Sequence, residues 1–309
     1  MQQPHKPSRI SIILAFAAVY IIWGSTYLGI KYAIQTMPPL LMSGVRYFIA
    51  GLIVFIIAMS TGAAFPQKIY WRNTFIIGAL LVLMGNGGVA LAESLIPSGI
   101  ASLIVCSVPM WFALIGWLFF NKGRPGALTI TGIILGFVGI MILVGPKNIF
   151  HIGQGINLTG VMIIIVGSIG WSVGSLYVSR AKLPENHLTT IGMQMLCGGF
   201  LLTIAGFAKG EYQQVHFEAI STNSLLAMGY LITFGSIVAF SAYSWLLRVV
   251  SPALVSTYAY VNPVIAVFLG WLFLNEPIDK YTVIGSVFII FALILITSQK
   301  PLAREEAPE

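Results

Sequence analysis

The stretch PVIAVFLGWLFLNE, residues 263–276, repeats the pattern of PMWFALIGWLFFNK, residues 109–122. In each copy a proline is followed eight residues later by Trp-Leu-Phe, then by an asparagine and a charged residue. The first copy reads Pro109, Trp117-Leu118-Phe119 and Asn121-Lys122; the second reads Pro263, Trp271-Leu272-Phe273 and Asn275-Glu276. Further matches run outward from this pair. Gly44, Arg46 and Gly51 fall on Gly192, Gln194 and Gly199, Trp23 falls on Trp171, and Ser102 falls on Ser256, all at an offset of about 150 residues. Matches in the same order along the chain point to an internal duplication.

Composition identifies the solvent in which those copies fold. Only 8% of the 309 residues are charged and 58% are hydrophobic, with a mean hydropathy of +0.92. A soluble domain carries roughly 25% charged residues, so most of this surface faces lipid. The net charge of +7 comes from basic residues set singly or in pairs between apolar runs. That dispersal argues against a nucleic-acid footprint. Cys106 and Cys197 lie inside apolar runs and the four histidines are scattered. The pattern implies buried thiols, no metal site and no cofactor.

A helix needs roughly 20 apolar residues to cross the hydrocarbon layer. Ten such runs lie near 11–34, 40–60, 73–93, 98–120, 128–144, 158–180, 188–208, 224–247, 252–273 and 280–298. Prolines and glycines punctuate the joins, as at Pro38-Pro39, Pro97, Pro184 and Pro277. With both termini cytoplasmic, eleven lysines and arginines fall inside and four outside, leaving Arg46 within a run. The expected fold is therefore an all-α integral membrane protein of ten transmembrane helices, arranged as two five-helix repeats. Five is odd, so the second copy enters the membrane from the opposite side: the repeats are inverted. The expected organisation is a cytoplasmic tail at 1–10, a first repeat at 11–144, an extracytoplasmic linker at 145–157, a second repeat at 158–298 and a cytoplasmic tail at 299–309.

Several of these features resemble the EamA-type branch of the drug/metabolite transporter superfamily, and within it the YedA-like group. The resemblance rests on Trp23-Gly24-Ser25-Thr26, on Arg46-Tyr47-Phe48 with Ala50-Gly51, on the proline-to-Trp-Leu-Phe signature of both halves and on Glu276-Pro277. It covers residues 11–298 and implies a ten-helix carrier moving small metabolites, often outward, across the cytoplasmic membrane.

Charged groups within a span cost roughly 2.5–3.5 kcal/mol on insertion scales, so they usually pair or line a cavity. Arg46, Glu93 and Lys31 all fall in the outer half of the first repeat, and Glu93 is expected to pair with Arg46 or Lys31. At the mirror positions stand Gln194 and Tyr243, both uncharged. Mid-span polar and aromatic groups complete the candidate pathway: Trp23, Ser25, Thr26, Tyr27, Asn86, Trp171, Ser172, Tyr258, Tyr260 and Asn262. Small polar residues also pack membrane helices, so the serines and glycines admit that reading too. Pro263 lacks an N–H and frees a carbonyl one turn earlier. Trp117 and Trp271, near span ends, read as interface anchors.

The functional expectation is a secondary active transporter, not an enzyme, exporting a small metabolite or amino-acid-like compound by alternating access. It would sit in the inner membrane of a bacterium, with a small-molecule substrate and the lipid bilayer as partners. A proton is the candidate coupling ion, with Glu93 as its carboxylate. An importer of the same fold stays open as the alternative; a membrane enzyme or a channel is more remote. Oligomeric state is not legible.

Overall fold

The computed structural model describes residues 8–120, 123–144, 156–250, 255 and 258–298. Among these residues every regular element is helical and no strand occurs. Seven helices are long and apolar enough to cross a membrane: α1 (Arg9–Ala33), α2 (Pro39–Ser60), α3 (Lys68–Glu93), α4 (Ser98–Phe119), α6 (Leu158–Val178), α7 (His187–Ala208) and α8 (Thr222–Leu247). Three further helices, α5 (Ala127–Val144), α9 (Tyr258–Leu274) and α10 (Lys280–Ser298), contain shorter apolar stretches. They fall on the fifth, ninth and tenth apolar runs. The expected C-terminal tail, residues 1–7 of the expected N-terminal tail and nearly all of the linker lie outside the described residues; α1 starts at Arg9, inside the tail expected at 1–10.

Large apolar side chains cover the outer faces. Ile56, Phe268, Trp271 and Val287 are all exposed, which suits a surface bathed in hydrocarbon rather than water.

The interior is organised by couples of helices five places apart. α2 packs on α7, α4 on α9 and α5 on α10; α3 packs on α6, and α1 on α8. Shifting every helix by five leaves this set of contacts unchanged. Close approach in the α2–α7 couple depends on glycine. A Cβ on Gly44 would stand 2.8 Å from the Thr203 main-chain nitrogen, one on Gly51 2.6 Å from that of Leu196, and one on Gly192 2.8 Å from that of Phe55. Contact residues rise along α2 as they fall along α7, so the two helices run antiparallel. In the α5–α10 couple Gly132 meets Ala292, and Gly285 meets Gly139 and Leu143, again in antiparallel order.

Three helices are wound more loosely along part of their length. α1 is a π-helix over Ala18–Ile22, α3 over Gly78–Gly87 and α8 over Leu231–Phe240. The two ten-residue stretches occupy the third helix of each five. π-Winding is rare and concentrates at functional sites. Asn86 and Gly235 lie within the two longer stretches. α4 is instead broken at Cys106–Ser107, immediately before Pro109.

Five helices, α1, α6, α7, α8 and α10, carry a local side-chain cap at the N-terminus. The Asn186 side chain accepts from Thr189 N, and Asp279 accepts from Thr282 N. α2 and α4 start on Pro-rich segments without such a cap, and carboxylates from distant segments serve them. Glu211 Oε2 accepts from Leu40 N (2.9 Å) and Leu41 N (3.0 Å). Glu276 accepts from Ser98 N (2.7 Å), Ser98 Oγ (3.0 Å) and Gly99 N (3.1 Å). A negative charge at the positive end of the helix dipole is favourable.

Candidate functional site: a central cavity

Helical periodicity builds the cavity from two matching faces. On α1 the lining residues are Trp23, Thr26, Tyr27 and Ile30; on α6 they are Ile164, Gly167, Ser168 and Trp171. Each set follows the i, i+3, i+4, i+7 spacing that places side chains on one helix face. Arg46 of α2, Gly85, Asn86 and Val89 of α3, Val105 and Val108 of α4, and Tyr258 and Asn262 of α9 close the wall. About 650 Å³ of atom-free space lies between these residues, a figure that includes space open to solvent.

One end is formed by packed rings. Trp23 contacts Trp171 (ring centroids 5.7 Å apart), Tyr243 (4.9 Å) and Tyr258 (5.4 Å). Tyr243 also contacts Trp171 (5.5 Å) and Tyr258 (5.9 Å), and Phe240 packs on Trp171. Several of these pairs are edge-to-face, the favoured geometry for aromatic quadrupoles. From this cluster the lining runs towards the C-terminal end of α1 and the N-terminal end of α6. The cavity thus extends from the two tryptophans in one direction only.

Several polar groups around the cavity are held by main-chain partners. Trp23 Nε1 donates to Gly235 O (3.3 Å), and Thr26 Oγ1 donates to Trp23 O (2.7 Å). Asn86 Nδ2 donates to Leu81 O at 3.1 Å, five residues back, as the loosened turn of α3 permits. With its amide turned so that nitrogen faces the two carbonyls, Asn262 donates to Tyr20 O (2.9 Å) and Tyr258 O (3.2 Å). The carbonyl freed by Pro263 is that of Ala259, and it accepts from Cys106 Sγ at 3.1 Å. The thiol of one half thereby satisfies the proline defect of the other.

Arg46 is 3% exposed and lines this cavity. Its Nε donates to Ser236 Oγ at 2.8 Å, and its guanidinium carbon stands 4.7 Å from the centre of the Tyr47 ring. The π-wound turn of α8 supplies both Ser236 and the space beside it. A Cβ on Gly235 would stand 2.8 Å from Arg46 Nη2 and 2.9 Å from Thr26 Cγ2.

The expected pairing of Glu93 with Arg46 or Lys31 is not formed. The one ion pair within 4 Å among the described residues joins Lys209 to Glu211. Lys31 Nζ instead donates to the main-chain oxygens of Glu93 and Ile96. These carbonyls close the C-terminal end of α3, where unpaired oxygens and the helix dipole attract a cation. The Glu93 carboxyl is fully buried, has no hydrogen-bond partner among the described residues, and stands apart from the cavity wall.

Eight expected pathway residues therefore line one space: Trp23, Thr26, Tyr27, Arg46, Asn86, Trp171, Tyr258 and Asn262. Tyr243 stands behind the wall in the aromatic cluster. Ser25 faces α8 and bonds to Tyr230 Oη (2.6 Å), while Ser172 donates to Val108 O (3.2 Å) and Ser168 O (2.8 Å). Gln194 is buried on α7 away from the lining. The Tyr260 side chain lies outside the described residues. Trp117 and Trp271 are exposed on the outer surface. Reasoning from sequence missed Gly235 and Ser236, although this Gly-Ser interrupts the apolar run of α8 much as Gly85 to Gly88 interrupt that of α3.

Comparison with known proteins agrees with this architecture. The EamA-like transporter family matches residues 9–145 and again residues 158–298. The uncharacterized inner membrane transporter YedA of Escherichia coli is 40% identical over 290 residues, 93% of this chain and 91% of that protein. The uncharacterized transporter YvbV of Bacillus subtilis is 24% identical, covering 97% and 95%. A solved crystal structure with 17% identity superposes with a TM-score of 0.64, covering 93% of this chain and 96% of its own, and so shares the fold. By these matches the chain belongs to the EamA-like transporter family, membrane transporters of the drug/metabolite type.

Proposed function

We propose that the protein is a secondary carrier that exports a small, amino-acid-like metabolite across the cytoplasmic membrane by alternating access. In this reading all ten helices cross the bilayer, the chain is an inverted pair of five-helix repeats, and both termini are cytoplasmic. The inversion is supported by α2 and α5 each running antiparallel to the helix five places on, and by two separate family matches.

The observation that carries the mechanism is a one-sided cavity in a molecule whose helix packing is two-sided. The contacts survive exchange of the halves, yet the cavity lies on one side of Trp23 and Trp171 while rings fill the other. Such a pair of repeats has a second state in which the exchanged side opens. The distribution of lysine and arginine supports an extracytoplasmic position for the present cavity. A proton is the candidate driving ion, with buried Glu93 as the carboxylate able to carry it.

Metabolite profiling of cells and medium, with and without overexpression, tests the reading. The expected result is a compound that accumulates in the medium and whose efflux from loaded proteoliposomes is saturable and shows counterflow. Accumulation inside cells would make the protein an importer, and a non-saturable conductance would make it a channel.

A further inference from the structure

We infer that Arg46 is the anchor for a substrate carboxylate, and that the substrate is an organic acid with an aromatic or bulky apolar body seated against Trp23, Trp171 and Tyr258. The inference deepens the carrier reading by naming the substrate class of the same cavity.

An uncompensated cation is the starting observation. Arg46 is 3% exposed, and no carboxylate among the described residues lies within 4 Å of it. Glu93 stands beyond ion-pair distance of Arg46 and off the cavity wall. Of the five N–H donors of the guanidinium, Nε is used by Ser236; the Nη groups have no hydrogen-bond partner among the described residues. A buried charge with no counter-ion, held only by the Ser236 hydroxyl and the Tyr47 ring, costs several kcal/mol. A cavity wall is where a ligand can remove that cost each time it binds.

The geometry selects the kind of anion. A guanidinium presents a planar fork that matches a carboxylate in two parallel hydrogen bonds. The local structure keeps the fork in place through Ser236 Oγ at one edge and the absent side chain of Gly235 at the other. Gly235 links the two ends of the site as well, because its carbonyl accepts from Trp23 Nε1. Along α1 the lining runs from Trp23 to Ile30, about 10 Å at 1.5 Å per residue. That length accommodates a ring, a short linker and a carboxylate. The ring end is rich in indole and phenol faces, which receive an aromatic body edge-to-face.

Binding to the purified protein in detergent tests the assignment without requiring flux. The probes are 3-phenylpropanoate and its uncharged analogue 3-phenylpropanamide, read by tryptophan fluorescence and by thermal stabilisation. The acid is expected to bind about tenfold or more tightly than the amide, as charge-assisted pairing implies. Arg46→Gln should erase that preference, and Arg46→Lys should restore part of it. Equal binding of acid and amide, binding of neither, or an acid preference that survives Arg46→Gln would overturn the proposal. Should Arg46→Gln fail to fold, the acid–amide comparison on the unaltered protein still decides. An acid-selective protein that gives no counterflow would overturn the carrier reading and leave the anchor standing.

Discussion

Gly235 of α8 and Arg46 of α2 occupy one volume between them: a Cβ on the glycine would stand 2.8 Å from Nη2 of the arginine. The charged side chain of the first half fits because the second half has no side chain there. Gly235→Ala is therefore expected to push the guanidinium off Ser236, with overpacking of about 1–3 kcal/mol. Transport should fall at least about tenfold, the equivalent of 1.4 kcal/mol. Gly229 is the control, since nothing lies within 4 Å of its added Cβ. Gly229→Ala should leave flux unchanged and the melting temperature equal or slightly higher.

Main-chain contact between α2 and α7 makes a second prediction. A Cβ on Gly51 would meet Leu196 N at 2.6 Å, and one on Gly199 would meet Phe48 N at 2.5 Å. Backbone cannot rotate aside as a side chain does, so Gly51→Ala and Gly199→Ala must separate the helices. Each should lower the yield of monodisperse protein and cost about 1–3 kcal/mol or more, measured by thermal unfolding in detergent.

How much of this could be seen in the sequence differs by residue. Gly44, Gly51, Gly192 and Gly199 were visible as matched pairs, and the structure places both pairs on one helix couple because closely packed helices need small residues at fixed spacing. Trp23 and Trp171 were visible for the same reason. The Lys31 contact was not legible: its partners are main-chain oxygens, which every residue carries. The caps from Glu211 and Glu276 were equally hidden, since each reaches about 170 residues back along the chain. The role of Gly235 depends on a π-wound turn, and periodicity at 3.6 residues per turn misplaces side chains across such a turn.

The carboxylate of Glu211 supplies a third test. It is fully buried and accepts from two amides at the start of α2, whereas its partner Lys209 is 47% exposed. Glu211→Gln should destabilise by about 1–3 kcal/mol, the range for a charge-assisted buried hydrogen bond. Lys209→Ala should change stability by less than about 1 kcal/mol, because solvent screens an exposed partner. Paired thermal melts of the two variants at one ionic strength decide the ordering.

Cys106 gives a fourth. Its Sγ donates to the Ala259 carbonyl freed by Pro263. Cys106→Ser keeps a donor and should be tolerated better than Cys106→Ala, which orphans a buried oxygen at about 1–3 kcal/mol. Both native thiols are buried. A membrane-permeant maleimide should therefore label native membranes poorly and denatured protein fully.

Glu211 and Glu276 have a mechanical consequence as well. Each fastens the first turn of a first-half helix to the segment that follows its own second-half partner, α2 to the end of α7 and α4 to the end of α9. Antiparallel couples riveted at the same end cannot slide past each other there; they can only pivot. Relative motion of the two halves is thus expected to be a rocking hinged near those rivets, with the largest excursions at the far ends of α2 and α4. Spin-label distances should stay constant between Leu40 and Lys209 and spread between Ser60 and His187 when substrate is added.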